Sequence, residues 1–145
     1  DLQVELSRHD QALKTYEQAI VAFDQALSLA PNYIYAHNNK GNAFASLADL
    51  QVRLSRHDKA LDAYGQAIAA YDKALALAPD FLYSILAKGE LFLRSGDGMA
   101  EENTDSARAL LEEAARLFRR AKELAPDHPQ VDGLLAAAED ALRRL

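Results

Sequence analysis

An all-α fold, in which antiparallel helical hairpins stack as an α-solenoid, is predicted by three features of this 145-residue chain. Alanine and leucine supply 52 residues while valine, isoleucine and threonine together supply ten, a balance that favours helices and leaves too few β-formers for a sheet. Residues 1–31 return at 49–79 with 22 identities, so the chain repeats with a period of 48. Prolines at 31, 79 and 126 close the stretches SLAP, ALAP and ELAP at nearly that same step. None of them can continue the helix before it, so they mark corners between helices.

The elements follow in order. Between the corners lies a second boundary, SRHD at Ser7–Asp10 and again at Ser55–Asp58, where a serine precedes an acid by three residues in the manner of a capping box. Each repeat is thereby two helices, and the coarse reading is 1–6, 8–30, 33–53, 56–78, 80–94, 104–125 and 128–144. The first is only the tail of a helix. The segment SGDGMAEEN, Ser95–Asn103, has two glycines and a cluster of acids where the preceding repeat runs through ADLQVRL, so a loop is expected there. With no Ser/Gly linker to divide the chain, residues 1–145 are expected to form one domain, with repeats at 1–48, 49–96 and 97–145 and a C-terminal capping helix. Asp1 is no natural start, and the stub helix suggests a piece of a longer protein.

Several function classes are disfavoured by composition. A net charge of −6 repels phosphate backbones, which argues against nucleic acid as a partner. The absence of cysteine excludes disulfides, thiolate zinc sites and a thiol nucleophile, and suits a cytoplasmic protein. No apolar run reaches the roughly 18 residues of a membrane span and no signal peptide opens the chain, so neither membrane nor export is expected.

Within the second helix of each repeat, small and large residues recur at sevens. Ala12, Ala19 and Ala26 stand beside Leu13, Ile20 and Leu27, with Tyr16 and Phe23 between. The next repeat has Ala60, Ala67 and Ala74 beside Leu61, Ile68 and Leu75, with Tyr64 and Tyr71. Small residues let backbones approach while rings fill the gaps, so enlarging Ala19 or Ala67 should push helices apart.

These residues resemble the tetratricopeptide repeat. The run Gly41–Phe44, then Ala67, Tyr71, Ala74 and Pro79, is similar to that family's hairpin: a small residue and an aromatic on helix A, then Ala, aromatic, Ala, Pro on helix B. The equivalents are Gly89 and Ala136 for helix A, and Ala19, Phe23, Ala26, Pro31 and Ala114, Phe118, Ala121, Pro126 for helix B. One departure is length: the family's unit is about 34 residues, so each helix here is longer by seven. Seven residues sweep within roughly 20° of two full turns, so every downstream side chain keeps its face.

What the resemblance implies is a right-handed superhelix whose helix A groove binds a peptide or helix of another protein, without catalysis or cofactors. Carried over by position, the groove residues are Tyr35, Asn38 and Asn42, then Tyr83, Leu86 and Glu90. Asn38 and Asn42 stand four apart, and their amides suit the backbone of an extended ligand. The family's clamp for acidic C-termini is not expected, because Tyr83 and Ala87 stand where it would place Lys and Arg. The expectation is therefore a non-enzymatic, bacterial interaction or scaffolding module. The rival reading is self-association through exposed repeat ends, because a truncated first helix leaves the Tyr16 and Phe23 face short of cover.

The remaining candidates read as structural. His9 and His57 are repeat equivalents at the interhelical turn, and His37 and His128 stand alone, so no histidine pair has metal-site spacing. Asp97–Asp105 is acidic but lacks the alternating order of a calcium loop. Arg116, Arg119, Arg120 and Lys122 lie among Glu112, Glu113 and Glu123, where internal salt pairs are expected. Arg108, Ala115 and Lys122 replace an apolar stripe, as at an end of the stack, and the helix from Pro129 to Leu145 resembles a solvating cap. Gly65, inside a helix, has no functional account.

Overall fold

The computed structural model describes residues 1–145, and its only regular elements are six helices. They are α1 (Leu2–Leu29), α2 (Ile34–Arg53), α3 (His57–Leu77), α4 (Leu82–Met99), α5 (Thr104–Leu124) and α6 (Val131–Arg144). Short connections make sequence neighbours antiparallel, and the architecture is an α-solenoid of helical hairpins. The helices fall into two compact units, Asp1–Pro79 and Asp80–Leu145. In the first, α2 lies between α1 and α3 and packs most closely with α3; in the second, α5 lies between α4 and α6.

The corners have a common cause. Ala30, Ala78 and Ala125 each precede a proline, which bars them from the helical region, and all three are extended at φ between −136° and −142°. Each still donates its N–H to the carbonyl four residues back, at 2.8–2.9 Å, so the last turn closes before the chain leaves. Tyr33 and His128 then donate to the Ala30 and Ala125 carbonyls, and the next helix begins.

Close approach within each hairpin depends on glycine. A Cβ on Gly41 would lie 2.5 Å from Cε1 of Tyr71, and one on Gly89 would lie 2.6 Å from Cε1 of Phe118. The ring of helix B therefore sits where a helix A side chain would begin, and Ala67, Ala74, Ala114 and Ala121 are buried beside those rings. Leu61 departs from the expected apolar face, since it is two-thirds exposed.

Three sequence expectations need correction. Residues 1–6 and 8–30 are not two helices but one, α1, with Ser7 and His9 inside it; Asp1 caps it by accepting from the Gln3 N–H at 3.1 Å. At the second SRHD the chain does turn, but no capping box forms. Ser55 takes φ 56°, its N–H bonds to the Val52 carbonyl and that of Arg56 to the Gln51 carbonyl, both at 2.9 Å. That is a Schellman closure of α2, with serine where glycine is usual. Finally, α4 runs on to Met99, through the glycines expected to be loop, and the connection is only Ala100–Asn103. Gly96 is helical because α5 needs its missing side chain: a Cβ there would meet Cγ of Leu111 at 2.7 Å.

Candidate functional site

The helix A residues divide by depth. On α2, Tyr35 is exposed, Asn38 is buried, and Asn42 is exposed with its Oδ1 accepting from the Tyr71 hydroxyl at 2.8 Å. On α4, Tyr83 is exposed, Leu86 is buried and Glu90 is half-buried. The second residue of each trio lies on the face that also carries Gly41 or Gly89, three residues on, and so points inward toward helix B. On α2, Tyr35 and Asn42 remain accessible with Asn38 beneath them; on α4, Tyr83 and part of Glu90 remain accessible with Leu86 beneath them.

At the start of each helix A the structure adds a feature that the spacing did not single out. Tyr33 and Tyr35 pair at 6.1 Å between ring centroids, tilted by 58°. Phe81 and Tyr83 pair at 5.5 Å, edge to face at 61°. Such pairs hold each other in one rotamer, which lowers the entropy lost when a partner settles on them. The pattern aromatic-x-aromatic two residues after Pro31 and after Pro79 was the available signal. One turn further on, Lys40 lies 6.0 Å from the Phe44 ring and Lys88 lies 5.5 Å from that of Phe92. Lys40 also bridges to Asp24 of α1 at 2.6 Å.

A second concavity lies in the first unit. Arg8, His9, Ala12 and Tyr16 of α1 face Ser46, Asp49, Leu50 and Arg53 of α2 across a cleft of about 410 Å³. His9 is thus a cleft residue rather than a turn residue, whereas its equivalent His57 opens α3. His37 is tied down, with Nε2 2.8 Å from the Pro31 carbonyl.

The basic stretch of α5 is consumed internally. Arg116 binds Glu113, whose carboxyl is held below its ordinary range chiefly by that hydrogen bond, with burial opposing. Arg120 spans Glu123 at 3.1 Å and Asp80 at 2.5 Å, and Arg119 reaches Glu139 at 3.7 Å. Lys122 binds both the Pro126 carbonyl at 3.0 Å and Asp132 at 2.8 Å, which ties α5 to α6; Ala115 is buried and Arg108 exposed. No three His, Cys, Asp or Glu side chains are grouped to hold a metal ion, and no helix is long and apolar enough to cross a membrane.

No curated protein matches the chain. Residues 1–73 match a family model described as Tetratricopeptide repeat, a repeat used in general as a non-catalytic module for protein–protein interaction. The match spans half of the chain and includes the α2–α3 hairpin with its Gly41–Tyr71 contact, and the chain belongs to the tetratricopeptide repeat family.

Proposed function

We propose that the chain is a non-enzymatic recognition module in which each unit by itself takes a peptide or helix of another protein against a helix A face, that of α2 in the first unit and that of α4 in the second. The observation that carries this reading is the recurrence of a mutually braced ring pair at the start of both helices, exposed at Tyr33, Tyr35 and Tyr83 and half-buried at Phe81. Tyr35 and Tyr83 supply amphipathic contact area, the Asn42 amide nitrogen is a donor for a ligand carbonyl, and Glu90 accepts from a ligand N–H or cation. Asn38 and Leu86 set the depth from below.

Selection of a phage-displayed peptide library on the immobilised chain tests this directly. Peptides that bind should lose at least tenfold in affinity to Tyr35→Ala or to Tyr83→Ala, according to the unit they engage, with helical circular dichroism unchanged. Selected peptides indifferent to both changes would remove the α2 and α4 faces from the site.

A second reading, self-association, is favoured by α1 itself. It has no buried residue, and Leu2, Val4, Leu6 and Val21 are each about half or more exposed. These side chains are spread around the helix rather than gathered on one face, and it is their number on a single helix that favours contact with another copy. Light scattering over a concentration series reports it as a rising mass, and a constant monomer mass would exclude it.

A further inference from the structure

Tyr71 and Phe118 are repeat equivalents that pack alike and differ by one oxygen. Each ring lies over the glycine of its helix A, Gly41 or Gly89. Only Tyr71 carries a hydroxyl, and it donates to Oδ1 of Asn42 at 2.8 Å. On α4 the position aligned with Asn42 is Glu90, and the Phe118 ring has no donor for it. The hydroxyl therefore stands beneath the one of these two residues whose side chain has both an oxygen to be held and a nitrogen to be aimed.

That bond decides which way the amide faces. With Oδ1 taken by a phenol that is itself only 2% exposed, Nδ2 is turned from the ring toward the open side of α2, where it donates to no group of the chain. Asn39, three residues earlier on the same exposed face, has no such anchor. Its amide can turn either end to a ligand and loses that freedom on binding, whereas the amide of Asn42 is already fixed. Lys40, the nearest cation in sequence, is engaged by Asp24, so the neutral Asn42 amide suits a carbonyl rather than a carboxylate.

We propose that Tyr71, buried behind the helix A face, is a positioning residue for recognition by the first unit: its hydroxyl aims the Asn42 N–H pair at a backbone carbonyl of an extended peptide that also rests on Tyr35. This rests on the reading of the α2 face as a binding surface and deepens it, by fixing the polarity of what that face takes. Tyr35 and Asn42 are two turns apart, about 10.5 Å along α2, a span of about three extended residues. The carbonyl thus belongs to a residue about three places from the one on Tyr35. The second unit, taken by itself, offers the Glu90 carboxylate at the aligned position and selects a donor or cation there.

The probe is a fluorescent peptide from the library selection that loses affinity to Tyr35→Ala, titrated by polarisation against the full chain. Tyr71→Phe keeps the ring over Gly41 and removes one oxygen, and it should weaken that peptide about fivefold. Asn42→Ala should weaken it roughly tenfold, and Asn39→Ala less. Tyr71→Phe added to Asn42→Ala should change nothing further, because its effect passes through that amide. Asn42→Asp keeps an oxygen for the hydroxyl and replaces the outward donor by an acceptor, so it should weaken binding at least as much as Asn42→Ala. Asn42 is exposed, so its variants remain informative even if Tyr71→Phe fails to fold. Unchanged affinity in Tyr71→Phe, or an equal loss with and without Asn42→Ala, would overturn the proposal and leave the α2 face in place. An Asn42→Asp chain that binds as the parent does would overturn it equally, by showing that no donor is needed. A selection that yields no Tyr35-dependent peptide would remove the α2 reading and this proposal together.

Discussion

Residues 1–31 and 49–79 are two answers to nearly one sequence. They share 22 of 31 residues, and their first ten differ only at Glu5 and Arg53. The later copy ends one helix, turns at Ser55 and starts another; the earlier copy runs straight through Ser7 as α1. The turn requires a left-handed serine, at a cost of roughly 1–2 kcal/mol, and breaks the helical ladder. In the later copy that cost is offset because folding back buries Ala48 and Leu50 of α2 along with Ala60, Ala63 and Ala67 of α3. In the earlier copy residues 1–6 are all exposed and find no such cover, and extending a helix adds one hydrogen bond per residue without a new nucleus. The single charge difference agrees with each outcome: Glu5 lies in the first turn of α1, and Arg53 in the last turn of α2, each matching the local helix dipole. A turn motif of this kind is conditional, adopted where both arms find cover to pack against.

The largest expected contrast is between the two equivalent rings. Tyr71 is buried, lies over Gly41 and donates to Asn42, so Tyr71→Ala should cost about 3–5 kcal/mol. Phe23 is only half-buried, and Phe23→Ala should cost about 1–2 kcal/mol. Urea denaturation followed by circular dichroism measures both. Equal losses at concentrations where the chain associates, and unequal losses at high dilution, would show that a second copy covers α1.

A smaller contrast separates Gln51 from Gln3. Gln51 is buried and its Oε1 has no hydrogen-bond partner, whereas its equivalent Gln3 is exposed on α1. An orphaned buried amide oxygen costs about 1–3 kcal/mol. Gln51→Leu should therefore raise the denaturation midpoint, by the equivalent of about 1 kcal/mol after some strain on repacking, and Gln3→Leu should leave it within about 0.5 kcal/mol. Loss of stability at Gln51 would mean that the amide is satisfied in solution.

What the sequence made legible were features with local causes. The corners depend on the residue before proline, and the hairpin contact on glycine facing a ring, and both are written in a few adjacent or heptad-spaced residues. Gly96 was read as loop, although it lies seven residues after Gly89 and one period after Ala48, the same small-residue device continued. Composition near it, with Gly98 and the acids, outweighed that spacing. Among the helix A residues, Tyr35 and Tyr83 are exposed, and the depth of Asn38 was signalled by its apolar equivalent Leu86. The fate of Ser7 had no such signal beyond Glu5, since it depends on tertiary packing that 22 shared residues do not encode.

The smallest expected effect is the sharpest, because its sign reverses between the copies. At Ser55 the left-handed φ of 56° is unfavourable for any residue with a Cβ, so Ser55→Gly removes that strain and should stabilise the chain by about 1 kcal/mol. At Ser7 the backbone is helical, so Ser7→Gly adds flexibility with nothing gained and should destabilise α1 by about 0.5 kcal/mol. Thermal melts of the two variants and their double mutant, with about 4–8 °C expected per kcal/mol for a unit of under 100 residues, read the difference. Stabilisation by glycine at both serines would show that the helix breaks at Ser7 in solution as it does at Ser55. Residues 1–6 would then have folded back as a short helix A, and α1 would begin where α3 does, at the histidine.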